Sequence, residues 1–261
     1  MINFLAITKQ MFKQKSKFIY LILLVQLIAV IASLVFNIQT IAQGEFQEIL
    51  YNNTIFTTVL FDVIFLGIMC WQNEKINLSQ TWRQIPISST KFYLANIMST
   101  LICCVYIFII QIIANIIVTA PKVTRVFNDL IGYADYTANF WNRGLIFGLF
   151  LVLIVITISM FVSFTNFSTR VIVDFLPIKN TTWVKMLVMG ILVIIGVYVG
   201  MQINSHFTNF MVTNFTHSVM IYSNIGEVGS MQITNIELAI ISLILGSLNI
   251  WLINKFVETK I

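Results

Sequence analysis

With 261 residues, 58% of them hydrophobic and only 10% charged, the chain has too little polar surface for a water-soluble protein, in which about 25% of residues carry charge. Its formal net charge of +5 would suit a nucleic-acid binder only if the basic residues clustered on a solvated face, and here they fill short gaps between apolar runs. Cys70, Cys103 and Cys104 form no CxxC pattern, and His206 and His217 have no acid or thiol near them in sequence, so no metal site is expected.

In chain order, the first 17 residues place Phe4, Leu5, Thr8, Met11 and Phe12 on one side at helical spacing, with Lys9, Gln10, Lys13 and Gln14 opposite. Apolar burial plus lysines facing anionic headgroups predicts a helix lying on the inner membrane face. The alternative is that this stretch extends the first span. The apolar run that follows is too long for the core of a cleavable signal peptide and has no small-residue cleavage site after it.

A helix rises about 1.5 Å per residue, so about 20 apolar residues cross a hydrocarbon core of roughly 30 Å. Runs of that size lie at Phe18–Phe36, Thr54–Cys70, Phe92–Val118, Leu145–Phe164, Val184–Met201 and Ile236–Ile253. They predict an all-α membrane protein with six transmembrane helices in a single transmembrane domain. A strand would leave backbone groups unpaired in lipid, and the alternation of a barrel is absent. With the N-terminus inside, 12 of the 15 basic residues fall in inner segments, leaving only Lys122, Arg125 and Arg143 outside. The bias places both termini in the cytoplasm.

The segment from Trp71 to Asn96 is the most distinctive. A short polar helix is expected over Asn73–Gln84. Pro86 stops it, and Ser88, Ser89 and Thr90 offer an N-cap to the third span. The result is a helix–break–helix elbow on the inner face. The third span carries Asn96, Ser99, Thr100, Gln111 and Asn115, which suit either packing between helices or contact with a substrate. Further on, the inner stretch Thr165–Trp183 is partly apolar, and its role is open. The outer segment 202–235 is long and lacks Lys and Arg. Its stretch His206–Tyr222 suits a short helix at the outer leaflet.

Asp62 is the one ionisable residue deep in a span. Such a residue costs roughly 2.5–3.5 kcal/mol on insertion scales. It is read as a contact on a translocation route, a proton-coupling carboxylate, or a structural side chain bonded to a neighbouring amide or hydroxyl. No Walker A, GxSxG, HExxH or paired-glutamate motif occurs. No repeated Gly/Pro-broken span marks an inverted-repeat transporter. The chain is expected to carry no catalytic residues and no cofactor of its own.

The string Trp82-Arg-Gln-Ile-Pro-Ile-Ser-Ser-Thr-Lys-Phe-Tyr-Leu-Ala-Asn96 resembles the R-x-LPIS-x-x-K-F-Y-LAK stretch of ABC-2 type permeases. More narrowly, it resembles permeases of lantibiotic (bacteriocin) immunity and peptide-export transporters of Gram-positive bacteria. Ile85 stands where that family has leucine, and Asn96 where it has lysine. The Trp/Pro-rich segment that often follows the fifth span is absent. The resemblance implies a coupling helix at residues 72–91 that docks on a separate ATPase subunit through Glu74, Lys75, Trp82, Arg83 and Pro86. It further implies two ATPase copies holding Mg-ATP and a second permease chain, identical or related. The expected activity is expulsion of a hydrophobic or amphipathic substrate such as a membrane-active peptide, at the plasma membrane. Asp62, Gln111 and Asn115 are the intramembrane polar candidates. Two other readings stand beside it: a non-transporting immunity or sensor protein, and a proton-driven carrier using Asp62.

Overall fold

A computed structural model of the chain describes residues 4–37, 46–131, 137–176, 181–215 and 227–257. Its helices are α1 (Phe4–Phe36), α2 (Phe46–Asn77), the single turn α3 (Gln80–Arg83), α4 (Ser89–Ile131), α5 (Thr137–Phe175), α6 (Thr181–Phe215) and α7 (Glu227–Leu252). A π-helical turn, Ile253–Val257, follows α7. Among the described residues, six helices are long and apolar enough to cross a membrane. The chain is therefore an all-α, multi-pass membrane protein.

Each helix is longer than its apolar run. Hydropathy detects only the part that sits in hydrocarbon, and a helix continues until its backbone is interrupted. Nothing between Phe4 and Phe36 interrupts it, since that stretch contains neither proline nor glycine. Residues 4–17, expected to lie on the membrane face, are continuous with the first span as the N-terminal part of α1. Ile7, Thr8 and Met11 are buried, while Leu5, expected on the apolar side, is 68% exposed. The whole of α1 spans about 50 Å at the usual rise. The helix expected over Asn73–Gln84 is broken at Leu78 and Ser79. Helix α4 runs on through Pro121, α5 continues to Phe175, and α6 takes in residues 202–215 of the expected outer segment. The rest of the expected helix at His206–Tyr222 lies outside the described residues.

The chain divides into two compact units: Met1–Pro86 with Leu94–Ala138, and Ile87–Tyr93 with Asn139–Ile261. In the first, Lys15 bonds Asn73 while Gln26 bonds Thr58, so α1 and α2 run antiparallel. Lys15 also bonds Thr100, and Gln111 bonds Gln26, so α4 runs parallel to α1. Between these polar levels lies an apolar belt of Ile19, Ile22, Phe61, Phe65, Met69, Cys103 and Ile107.

In the second unit, Asn235 Nδ2 donates to Ile146 O at 3.1 Å and Asn249 Nδ2 to Met160 O at 2.8 Å. These bonds run α5 and α7 in the same direction. Asn249 Nδ2 also reaches Tyr93 Oη at 2.8 Å. The Tyr93 ring packs edge-on against Phe167 with centroids 6.4 Å apart. None of the most apolar stretch of α6 is buried, and Ile194 is 71% exposed. In water such a surface would drive association, whereas lipid tails solvate it as well as another apolar side chain would.

Gly196 is where α6 comes close to α5, because a Cβ there would run into the Phe161 ring. Gly196→Val should destabilise the protein by about 1–3 kcal/mol, the usual cost of overpacking. The loss should be reduced by a second substitution, Phe161→Ala. Thermal unfolding of the purified protein in a mild detergent checks both.

Candidate functional site

A lysine that composition alone would place in the headgroup region is instead fully buried. Lys15 has no exposed surface. Its Nζ lies 2.6 Å from Asn73 Oδ1, 2.9 Å from Asn96 O, 2.7 Å from Asn96 Oδ1, 2.7 Å from Ser99 Oγ and 2.8 Å from Thr100 Oγ1. An ammonium has only three protons, so five acceptors at these distances share them. All five are neutral oxygens. Burying a charge is costly unless it is hydrogen-bonded on all sides, and this cradle provides that.

The cradle is itself cross-braced. Asn96 Nδ2 donates to Asn73 O at 3.0 Å and to Asn77 Oδ1 at 2.8 Å. Thr100 Oγ1 donates to Asn73 Oδ1 at 2.6 Å. Asn73 and Asn77 end α2, and Asn96 lies in the second turn of α4. The two helix ends that flank the elbow are thereby tied to each other and, through Lys15, to α1.

The elbow stands beyond this base. Gln80, Thr81, Gln84, Pro86, Ser88 and Lys91 are exposed. Ile85 N closes a turn onto Trp82 O at 3.4 Å. Of the residues expected to meet an ATPase, Lys75 and Pro86 are exposed and Trp82 is half-buried. The Lys75 ammonium sits over the Trp71 ring, 5.5 Å from its centroid. Glu74 points inward: it is 9% exposed and accepts from Asn77 Nδ2 at 3.3 Å. The side chain of Arg83 lies outside the described set.

A second polar level crosses the same three helices. Gln26 Nε2 donates to Thr58 Oγ1 at 3.0 Å and Gln111 Nε2 to Gln26 Oε1 at 3.0 Å. Gln111 is also hydrogen-bonded to Asp62. Asp62 is half-buried, Gln111 buried and Asn115, one turn further along α4, half-buried. The two levels share a register. Lys15 to Gln26, Asp62 to Asn73 and Thr100 to Gln111 are each eleven residues apart. Eleven residues fall within about 20° of three full turns and rise about 16 Å. Both levels therefore lie on one seam of each helix.

Sequence reasoning singled out Asp62, Gln111 and the elbow but missed Lys15, Asn73 and Gln26. Their signal was available: residues 8, 11, 15, 19, 22 and 26 form a stripe at three- and four-residue steps, all buried. Lys9, Lys13 and Lys17 fall off that stripe and are exposed. None of the three cysteines is in a disulfide, and Cys70 and Cys103 are buried. Among the described residues, no three His, Cys, Asp or Glu side chains come together to hold a metal ion. No family model, curated protein or solved structure matches this chain.

Lys15→Met keeps most of the side-chain volume and removes the charge, leaving buried oxygens without their donor. Stability should fall by about 1–3 kcal/mol, the cost of leaving buried acceptors without a donor. Lys13→Met, at an exposed position, should stay within about 0.5 kcal/mol of the parent. Detergent-solubilised thermal unfolding of the two variants side by side gives the comparison.

Proposed function

We propose that this chain is the membrane-spanning subunit of an ABC-2 type exporter, driven by a separate ATPase. The observation that carries this reading is the elbow: an exposed turn from Gln80 to Ser88 whose flanking helix ends are clamped by a buried polar cluster. A turn that must transmit a push needs a stiff base, because packed elements move as rigid bodies and do not deform continuously. The resemblance of Trp82–Asn96 to the ABC-2 stretch points the same way. That stretch has lysine where this chain has Asn96, and here an ammonium reaches Asn96 from Lys15 on α1.

In this reading two permease chains, identical or related, sit with two ATPase subunits that hold Mg-ATP. Both termini and the elbow face the cytoplasm at the plasma membrane, in keeping with the positive-inside bias. Lys75, Trp82, Arg83 and Pro86 form the contact with the ATPase. Glu74 acts from within, holding the side chain of Asn77 at the end of α2. The cargo is a hydrophobic or amphipathic molecule, such as a membrane-active peptide.

In a purified permease–ATPase complex, Arg83→Ala combined with Pro86→Ala should lower export per ATP hydrolysed by about tenfold, the effect of removing roughly 1.4 kcal/mol of interaction. Membrane insertion and thermal stability should be unchanged. Normal export with normal stimulated ATPase activity would show that the elbow is not the coupling contact. Protection of cells against a membrane-active peptide that persists with an inactive ATPase would favour sequestration over export.

A further inference from the structure

The level around Asp62 is a directed chain of hydrogen bonds. Thr58 donates its hydroxyl proton to Thr54 O at 2.8 Å, which leaves Thr58 Oγ1 to accept from Gln26 Nε2 at 3.0 Å. That fixes the Gln26 amide, so its Oε1 faces Gln111 and accepts from Gln111 Nε2 at 3.0 Å. The second proton on that nitrogen serves Asp62. Each link orients the next, and by Gln111 the amide donors have run out.

What remains are acceptors. Gln111 is 2% exposed, and its Oε1 is buried without a partner. An unsatisfied buried acceptor costs about 1–3 kcal/mol. Beside it is the Asp62 carboxylate, only half-buried, at a depth where an unpaired charge is costly. On the same side of α2, three and seven residues away, Val59 and Ile55 are 61% and 40% exposed. The level thus combines a shortage of donors, a carboxyl group and an adjoining open apolar strip.

We propose that Asp62 and Gln111 Oε1 form an intramembrane subsite for a primary ammonium or guanidinium group carried on an amphiphile. The lysine or arginine side chain of a membrane-active peptide is the natural occupant. Its cation meets Asp62, an N–H reaches Gln111 Oε1, and its apolar part lies along Ile55 and Val59. The proposal takes its natural occupant from the export reading; the subsite itself is a property of this chain alone.

Thermal unfolding of the full chain in a neutral maltoside, titrated with amphiphiles of one chain length, tests it. Dodecylammonium and dodecylguanidinium should stabilise the protein at concentrations about tenfold lower than dodecyltrimethylammonium, which has the charge but no N–H, or dodecanol, which has neither. Asp62→Asn and Gln111→Leu should each abolish that preference. Equal effects of all four amphiphiles on the unsubstituted chain would overturn the proposal without recourse to any variant. So would an infrared carbonyl band of a protonated carboxylic acid that Asp62→Asn removes and dodecylammonium leaves unchanged, because a proton would then be the missing donor. The binding needs no ATPase. A cation preference in a chain that fails to export would contradict the export reading and support the subsite.

Discussion

The first unit depends on where one ammonium is put. Lys15 carries its side-chain nitrogen into a place with no exposed surface, and five neutral oxygens from α2 and α4 close around it. A buried charge tolerates few alternatives: a slip of one residue along α1 would rotate it by about 100° and strip it of its acceptors. The position of Lys15 therefore sets the register of α1 against α2 and α4. The eleven-residue spacing carries that register to the level of Gln26, Asp62 and Gln111. The apolar belt fills the space between the two levels.

This division of labour follows from the solvent. Lipid tails are as apolar as leucine, so apolar contact between spans gives little preference for one arrangement. Directional bonds supply the preference, since leaving them unmade in a low-dielectric interior is expensive. The second unit follows the same rule with amides in place of a charge: Asn235 and Asn249 reach backbone carbonyls on α5, and Asn249 also holds Tyr93. Among its described side chains, helix α6 presents an open apolar surface over most of its length.

The six spans were legible because a bilayer reads composition over about 20 residues, and each apolar run lies inside a helix. Helix ends were not legible, because hydropathy falls to zero at the headgroups while an unbroken backbone goes on, as α1 and α6 do. The elbow was recognised from Pro86 and its neighbours, although the break came earlier, at Leu78 and Ser79. Glu74 and Lys75, adjacent in a polar stretch, differ in a way that one dimension does not reveal: Glu74 is buried and Lys75 exposed. Lys15 was concealed by its company. Among four lysines in nine residues it resembled one more interfacial cation, and only its place on the buried stripe with Met11 and Ile19 distinguished it.

The central claim is that the Lys15 cradle stiffens the base of the elbow. Hydrogen–deuterium exchange of the unsubstituted chain and the Lys15→Met variant, compared at matched temperatures below unfolding, tests it directly. The account predicts faster exchange confined to the end of α2 around Asn73–Asn77 and the start of α4 around Asn96–Thr100, with α5 and α7 unchanged. Unchanged protection at both helix ends, or loss spread evenly over all helices, would contradict it.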